Sequence, residues 1–140
     1  MAQQKFILDE QGRKQKVGPF GLALCKRGIY KGIRCDSSWE LAFVVWHMEH
    51  GKSIRRCTER WPYDMNGKRH IYCPDFVTDE GIIEVKGCKG KTWKYKAAAF
   101  PNVKVYFGKD MQHMLDYVTD KYGKDFCDVL YDVSYNRFVE

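Results

Sequence analysis

Residues 71–86 read IYCPDFVTDEGIIEVK, two apolar runs divided by the polar turn Asp79-Glu80-Gly81. Runs of β-branched and aromatic residues on either side of such a turn predict a β-hairpin. A hairpin fixes which side chains meet, because alternate residues of a strand share one face. Ile83 and Val85 point one way and anchor the second strand, while Glu84 and Lys86 point the other. Asp75, on the first strand, is then brought beside Glu84. Two neighbouring carboxylates repel and raise one another's pKa unless a cation lies between them. Hard oxygen donors on a rigid sheet suit Mg²⁺, with Mn²⁺ the alternative. A lysine alongside can hold a water or a phosphate oxygen and offset developing negative charge. A metal, a water and an ammonium are what hydrolysis of a phosphodiester requires.

Around this hairpin the sequence predicts a mixed α/β chain. In DSSWELAFVVWHMEHG, Ser37 followed three residues later by Glu40 is a capping-box signature, and Gly51 is the stop. Trp39, Phe43 and Trp46, widened by Val44 and Met48, give that helix an apolar stripe. Strands are expected near residues 54–58, 68–77 and 82–86, with Asn66-Gly67 as a further turn. KTWKYKAAAF reads as a short helix ended by Pro101, VKVYF as a buried strand, and KDMQHMLDYVTDKYG as an amphipathic helix stopped by Gly123. The last segment, DFCDVLYDVSYNRFVE, is ambiguous between strand and irregular structure. The predicted order is helix, three strands, helix, strand, helix: a mixed sheet flanked by helices.

Charge separates the chain into regions. Its 140 residues carry a net +6, and all of that excess falls in residues 1–35. Residues 86–109 hold seven lysines and no acid, and the tail beyond them is acidic. A polyanion would therefore meet the first third and the 86–109 segment. Residues 1–35 read as a basic extension, a DNA-contacting arm, with Lys26, Arg27, Lys31 and Arg34 as candidate phosphate contacts. Lys89, Lys91 and Lys94 are the candidates after the hairpin. A solvated basic face is the competing reading of the same charges. The six cysteines form no C-x-x-C pair, so reduced, buried thiols are expected in place of a zinc site. No apolar block marks a signal peptide or a membrane span, so a soluble, intracellular protein is expected, without a membrane partner.

Pro74-Asp75, eight intervening residues and Glu84-Val85-Lys86 resemble the motif of the PD-(D/E)XK nuclease superfamily. The flanking SSWELAF and KTWKYKAAAF segments are similar to its first and second helices, and the stretch as a whole looks most like small phage-encoded homing-type endonucleases. The resemblance covers residues 36–107 and implies a restriction-endonuclease-like core of helix, three antiparallel strands, helix and strand, within a nuclease domain of residues 36–140. It implies that Asp75, Glu84 and the Val85 carbonyl bind the metal, that Lys86 assists the attacking water and that Glu40 joins the site. The activity implied is metal-dependent, site-specific cleavage of DNA. A Holliday junction resolvase and a non-catalytic DNA-binding protein on a degenerate core are the alternatives. One active site cuts one strand, and a homodimer is one way to cut both.

Glu40 also reads simply as the capping partner of Ser37, and His47 and His70 read as packed or surface histidines before site residues. Trp93 and Tyr95 read as core before base-stacking platforms.

Overall fold

The computed structural model describes residues 27–86 and 90–134, together with the backbone of 6–8, 14–16 and 137–139. Lys26 and Lys89 lie outside the described residues. The chain opens with β1 (Phe6–Leu8), β2 (Lys14–Lys16), β3 (Gly28–Tyr30) and β4 (Ile33–Cys35), followed by α1 (Ser38–Glu49). Next come β5 (Ile54–Arg56), β6 (Trp61–Met65), β7 (Lys68–Tyr72), β8 (Phe76–Thr78) and β9 (Gly81–Val85). The last elements are α2 (Trp93–Ala99), β10 (Lys104–Tyr106), α3 (Gly108–Tyr122), α4 (Phe126–Leu130), β11 (Val133–Ser134) and β12 (Arg137–Val139). The protein is thus mixed α/β, with four helices and several small sheets among the described residues. No helix there is long and apolar enough to cross a membrane.

The central sheet runs β10-β9-β8-β5. β5, β8 and β9 are antiparallel neighbours, whereas β10 lies parallel to β9. A parallel neighbour needs a crossover, and α2 lies within it. The β8–β9 turn uses Gly81 at φ 101°, a conformation that costs a residue without Cβ nothing.

The sheet separates two apolar clusters. On one face Phe76, Ile83 and Tyr106 meet Phe43 of α1 and Met111, Met114 and Val118 of α3. The 3- and 4-residue spacing of those α3 residues is the amphipathic stripe seen in the sequence. On the other face Tyr63, Tyr72 and Trp93 pack with Trp61, Phe100 and Val105.

Besides the helix α4, which opens the segment read as strand or irregular structure, two expectations change. A single strand over 68–77 is replaced by β7 and β8, which belong to different sheets. Pro74 has no N–H for a ladder, and residues 73–75 carry the chain from one sheet to the other. β7 instead pairs with β6 about the Asn66-Gly67 turn, both residues at positive φ as the two-residue hairpin demands. The second change concerns α1. Leu41, Ala42, Phe43, Val44 and Val45 are all buried, so the helix is wrapped on most sides and the expected one-sided stripe understates its burial. Trp39, Trp46 and Met48 are only partly buried.

The ends of α1 follow the sequence. Ser37 Oγ accepts the Glu40 N–H at 3.2 Å, and Gly51 adopts φ 66° after the last turn. Beside that last turn, Glu49 accepts hydrogen bonds from Tyr117 Oη at 2.6 Å and Lys121 Nζ at 2.7 Å, and from Tyr122, fastening α1 to α3.

Residues 28–35, assigned from sequence to the basic extension, form the hairpin β3–β4, which pairs with β11. Tyr30 and Cys35 lie in the same core as α1. Cys35, Cys57 and Cys127 are buried thiols and Cys73 is an exposed one.

Candidate active site

The site forms where β8 begins and β9 ends. The pairing Phe76↔Ile83, continued by one residue, sets Asp75 opposite Glu84. Directly opposed residues in an antiparallel pair project to the same face, with Cβ atoms about 5 Å apart. Glu84 looks away from α1, because Ile83 occupies the α1 side, whereas Asp75, just before β8, also comes within 3.7 Å of Arg56 on the α1 side. Continued by two residues, the register brings Pro74 opposite Val85. Pro74 has no N–H to offer the Val85 carbonyl. The Val85 N–H is taken up by a side chain: it donates to Asp75 Oδ2 at 2.8 Å.

Each carboxylate is therefore held by one oxygen. Asp75 Oδ2 accepts from Val85, and Glu84 Oε2 accepts from Tyr72 Oη at 2.8 Å. Tyr72 reaches Glu84 because the β6–β7 hairpin folds over this face of the sheet. Lys86 follows β9, and its N–H donates to the Tyr106 carbonyl at 2.9 Å, which extends the ladder past the strand's end. Strand alternation puts its side chain on the Glu84 face, where Nζ stands 5.3 Å from the centre of the Trp93 ring. Lys96 Nζ lies 5.1 Å over the Tyr72 ring.

Glu40 approaches from α1. Its Oε1 accepts an Arg56 guanidinium N–H and the Asp36 N–H at 3.2 Å, one residue before the N-cap Ser37, so Glu40 ties down the start of the helix without the reciprocal bond of the expected capping box. Arg56 Nη2 also bonds Asp36 Oδ2 at 2.9 Å and stands 3.7 Å from Asp75 Oδ1. The strand that carries Arg56 is paired so that Arg56 faces Phe76, and the Cys57 N–H donates to the Asp75 carbonyl at 2.9 Å. Arg56 is thereby delivered to the residue next to Asp75.

Glu40, Asp75 and Glu84 are only 8, 9 and 7% exposed. Burial, and then the charge of Glu84, push the Asp75 carboxyl up to about 7, against the pull of the Val85 N–H and Arg56. Burial and the Asp75 charge likewise raise Glu40 to about 7, again opposed by Arg56. Glu84 is raised by burial, with the Tyr72 hydroxyl, Lys86 and Lys96 acting against it. Desolvation and mutual repulsion are relieved when a cation enters.

A hard divalent ion would find one oxygen on each of Asp75 and Glu84 not taken up by Val85 or Tyr72, the one on Asp75 standing 3.7 Å from Arg56 Nη2, and the Val85 carbonyl as a further donor. Among the described residues no group of three or more His, Cys, Asp or Glu side chains is arranged to hold a metal, so that fit rests on two carboxylates and a backbone oxygen.

The candidate phosphate contacts are dispersed. Lys31 occupies the β3–β4 turn, and Arg34 Nε pairs with Asp36 Oδ1 at 3.3 Å. Arg27 is half-buried just before β3. Lys91 and Lys94 are exposed at the start of α2, beside a depression of about 530 Å³ that Asn66 and Tyr95 also line. His47 is not at the site. Its Nδ1 meets the Phe43 carbonyl at 2.7 Å, and it lines a pocket with Glu80 and His113 at the turn end of the β8–β9 hairpin. His70 stacks on its cross-strand neighbour Tyr63, in the other sheet.

Arg56, Tyr72 and Asp36 were not singled out in the sequence. An arginine in SIRRCTER carries no motif, and Tyr72 is separated from its partner by a change of sheet. No protein-family model matches the chain, and no curated protein or solved structure matches it.

Proposed function

We propose that this chain is a divalent-metal-dependent DNA endonuclease built on a restriction-endonuclease-like core. The observation that carries the reading is that Asp75, just before β8, takes the Val85 N–H at the end of β9 while Tyr72 holds the neighbouring Glu84, with Lys86 two residues beyond Glu84. What supports this core is the order α1, β5, β8, β9, α2, β10, with the β6–β7 hairpin inserted between the first two strands.

In this reading Asp75, Glu84 and the Val85 carbonyl hold Mg²⁺ or Mn²⁺. The bound ion would supply Lewis acidity at a phosphodiester oxygen and lower the pKa of a water. Lys86 orients the attacking water and offsets charge that develops on the phosphate. Trp93 beneath the ammonium limits its wandering. Tyr72 and the Val85 N–H fix the carboxylate rotamers, so that little reorganisation is left for the reaction. Exposed Lys91 and Lys94 lie on the segment that follows and suit the flanking phosphates.

Incubation with supercoiled plasmid and Mg²⁺ tests the reading. Nicked or linear product should form with the native chain, be abolished by EDTA, and fall at least a hundredfold for Glu84→Gln and Lys86→Ala proteins that retain native circular dichroism. Equal cleavage by folded Glu84→Gln, or no Mg²⁺-dependent cleavage of any DNA, overturns it.

A further inference from the structure

We propose that Arg56 is a resident cation of the acidic cluster, a positioning residue that withholds Glu40 from the metal and so restricts the site to one divalent ion, carried by Asp75 and Glu84. The inference rests on the metal-binding reading above and adds the number of ions and the residue that sets it.

Three acidic side chains converge on one guanidinium. Arg56 donates from Nη1 to Glu40 Oε1 and from Nη2 to Asp36 Oδ2, and stands 3.7 Å from Asp75 Oδ1. Nη1 also reaches the Arg34 carbonyl at 3.4 Å, and the planar group lies over Phe76, 5.1 Å from the ring centre. A guanidinium remains charged at any working pH, and its fork suits a carboxylate better than a point charge does. The side chain is only 19% exposed and is carried on a strand whose register with β8 is fixed. Arg56 is therefore part of the site's framework.

This divides the four acids into two sets. Asp36 and Glu40 both bond to Arg56, Asp36 pairs also with Arg34 at 3.3 Å, and the bond from the Asp36 N–H to Glu40 Oε1 ties them further. Glu84 accepts instead from Tyr72 and feels the charges of Lys86 and Lys96. Asp75 sits between the sets, with Oδ2 fixed on Val85 and Oδ1 at the longer distance from Arg56. A second ion on the Glu40 side would have to displace a cation that cannot lose its charge. An ion between Asp75 and Glu84 leaves the Arg56 bonds to Glu40 and Asp36 in place and competes only with the longer 3.7 Å approach to Asp75 Oδ1.

Mn²⁺ titration of the full chain, read by electron paramagnetic resonance of the free ion, gives the count directly. The native chain should bind one Mn²⁺. Glu40→Gln should still bind one, with affinity lowered less than tenfold, since Glu40 is not a ligand. Arg56→Gln should bind two, Arg56→Lys should restore one, and Arg56→Gln combined with Glu40→Gln should return to one. Two ions on the native chain, or a tenfold loss of affinity in Glu40→Gln, overturns the inference while leaving the metal site standing. A count of one in a folded Arg56→Gln protein also overturns it. Should Arg56→Gln not fold, the Glu40→Gln titration decides alone. No Mn²⁺ bound by the native chain, or binding untouched by Asp75→Asn with Glu84→Gln, removes the metal reading and the inference together.

Discussion

Asp75→Asn should stabilise the metal-free protein, and only at neutral or alkaline pH. The Asp75 carboxyl is raised from 3.8 to about 7 by burial and by Glu84. Keeping it ionised in the native state against that rise costs ~4 kcal/mol. Part of the cost is shared with Glu40 and Glu84, which relax when the charge goes. Asparagine still accepts the Val85 N–H, but a neutral acceptor is weaker and the attraction to Arg56 is lost, together about 1–2 kcal/mol. The net gain at pH 8 is roughly 2 kcal/mol, or about 8 °C in Tm for a domain of this size. The sign follows from linkage. A group whose folded pKa is raised binds a proton on folding between the two pKa values, so its stability contribution is complete below about 4 and is lost as pH rises through about 7. The advantage of the variant therefore vanishes near pH 4 and is full by pH 8. Urea unfolding followed by tryptophan fluorescence, in EDTA at both pH values, measures the gap. Mg²⁺ in place of EDTA should reverse the order at pH 8, because the ion binds the native state of the parent and not that of the variant. A variant less stable than the parent at pH 8, or a gap equal at both pH values, refutes the argument that the site stores repulsion.

Tyr72→Phe removes the hydroxyl that holds Glu84 Oε2, and Mn²⁺ affinity should fall about tenfold with the circular dichroism unchanged; an unaltered titration would show that Glu84 needs no such support. Phe43→Ala should cost about 3–5 kcal/mol in urea unfolding, since Phe43 is fully buried and stacks on Phe76 at 5.4 Å and edge-on against Tyr106 at 5.1 Å.

Local signals made much of this fold legible. A cap and a stop delimit α1, a stop at Gly123 ends α3, and a turn between two apolar runs gives the β8–β9 hairpin. Strand alternation alone puts Glu84 and Lys86 on one face, and the turn length decides that Asp75 is across from Glu84. What stayed hidden depends on long-range pairing. Arg56 becomes part of the site only because β5 lies against β8, a partnership no local pattern encodes. Tyr72 looked continuous with the Asp75 strand, yet it serves Glu84 from a separate sheet laid over the first. The burial of α1 was underestimated for a similar reason. Its side-chain spacing indicates one covered face, but β-strands and α3 close on it from different sides.

The β6–β7 excursion leaves the central sheet at Arg56 and returns at Phe76, two residues that face each other on one rung. A detour that departs and re-enters at the same rung exerts no lever on the sheet, so its far tip at Asn66-Gly67 can be lengthened or exchanged with little penalty to the framework. Its final residue is nonetheless Asp75, and its last strand residue is Tyr72. The tolerant part of the chain thus terminates on the least tolerant part. Grafts at the tip should be accepted where a one-residue deletion at Cys73 would unseat the acid from its rung.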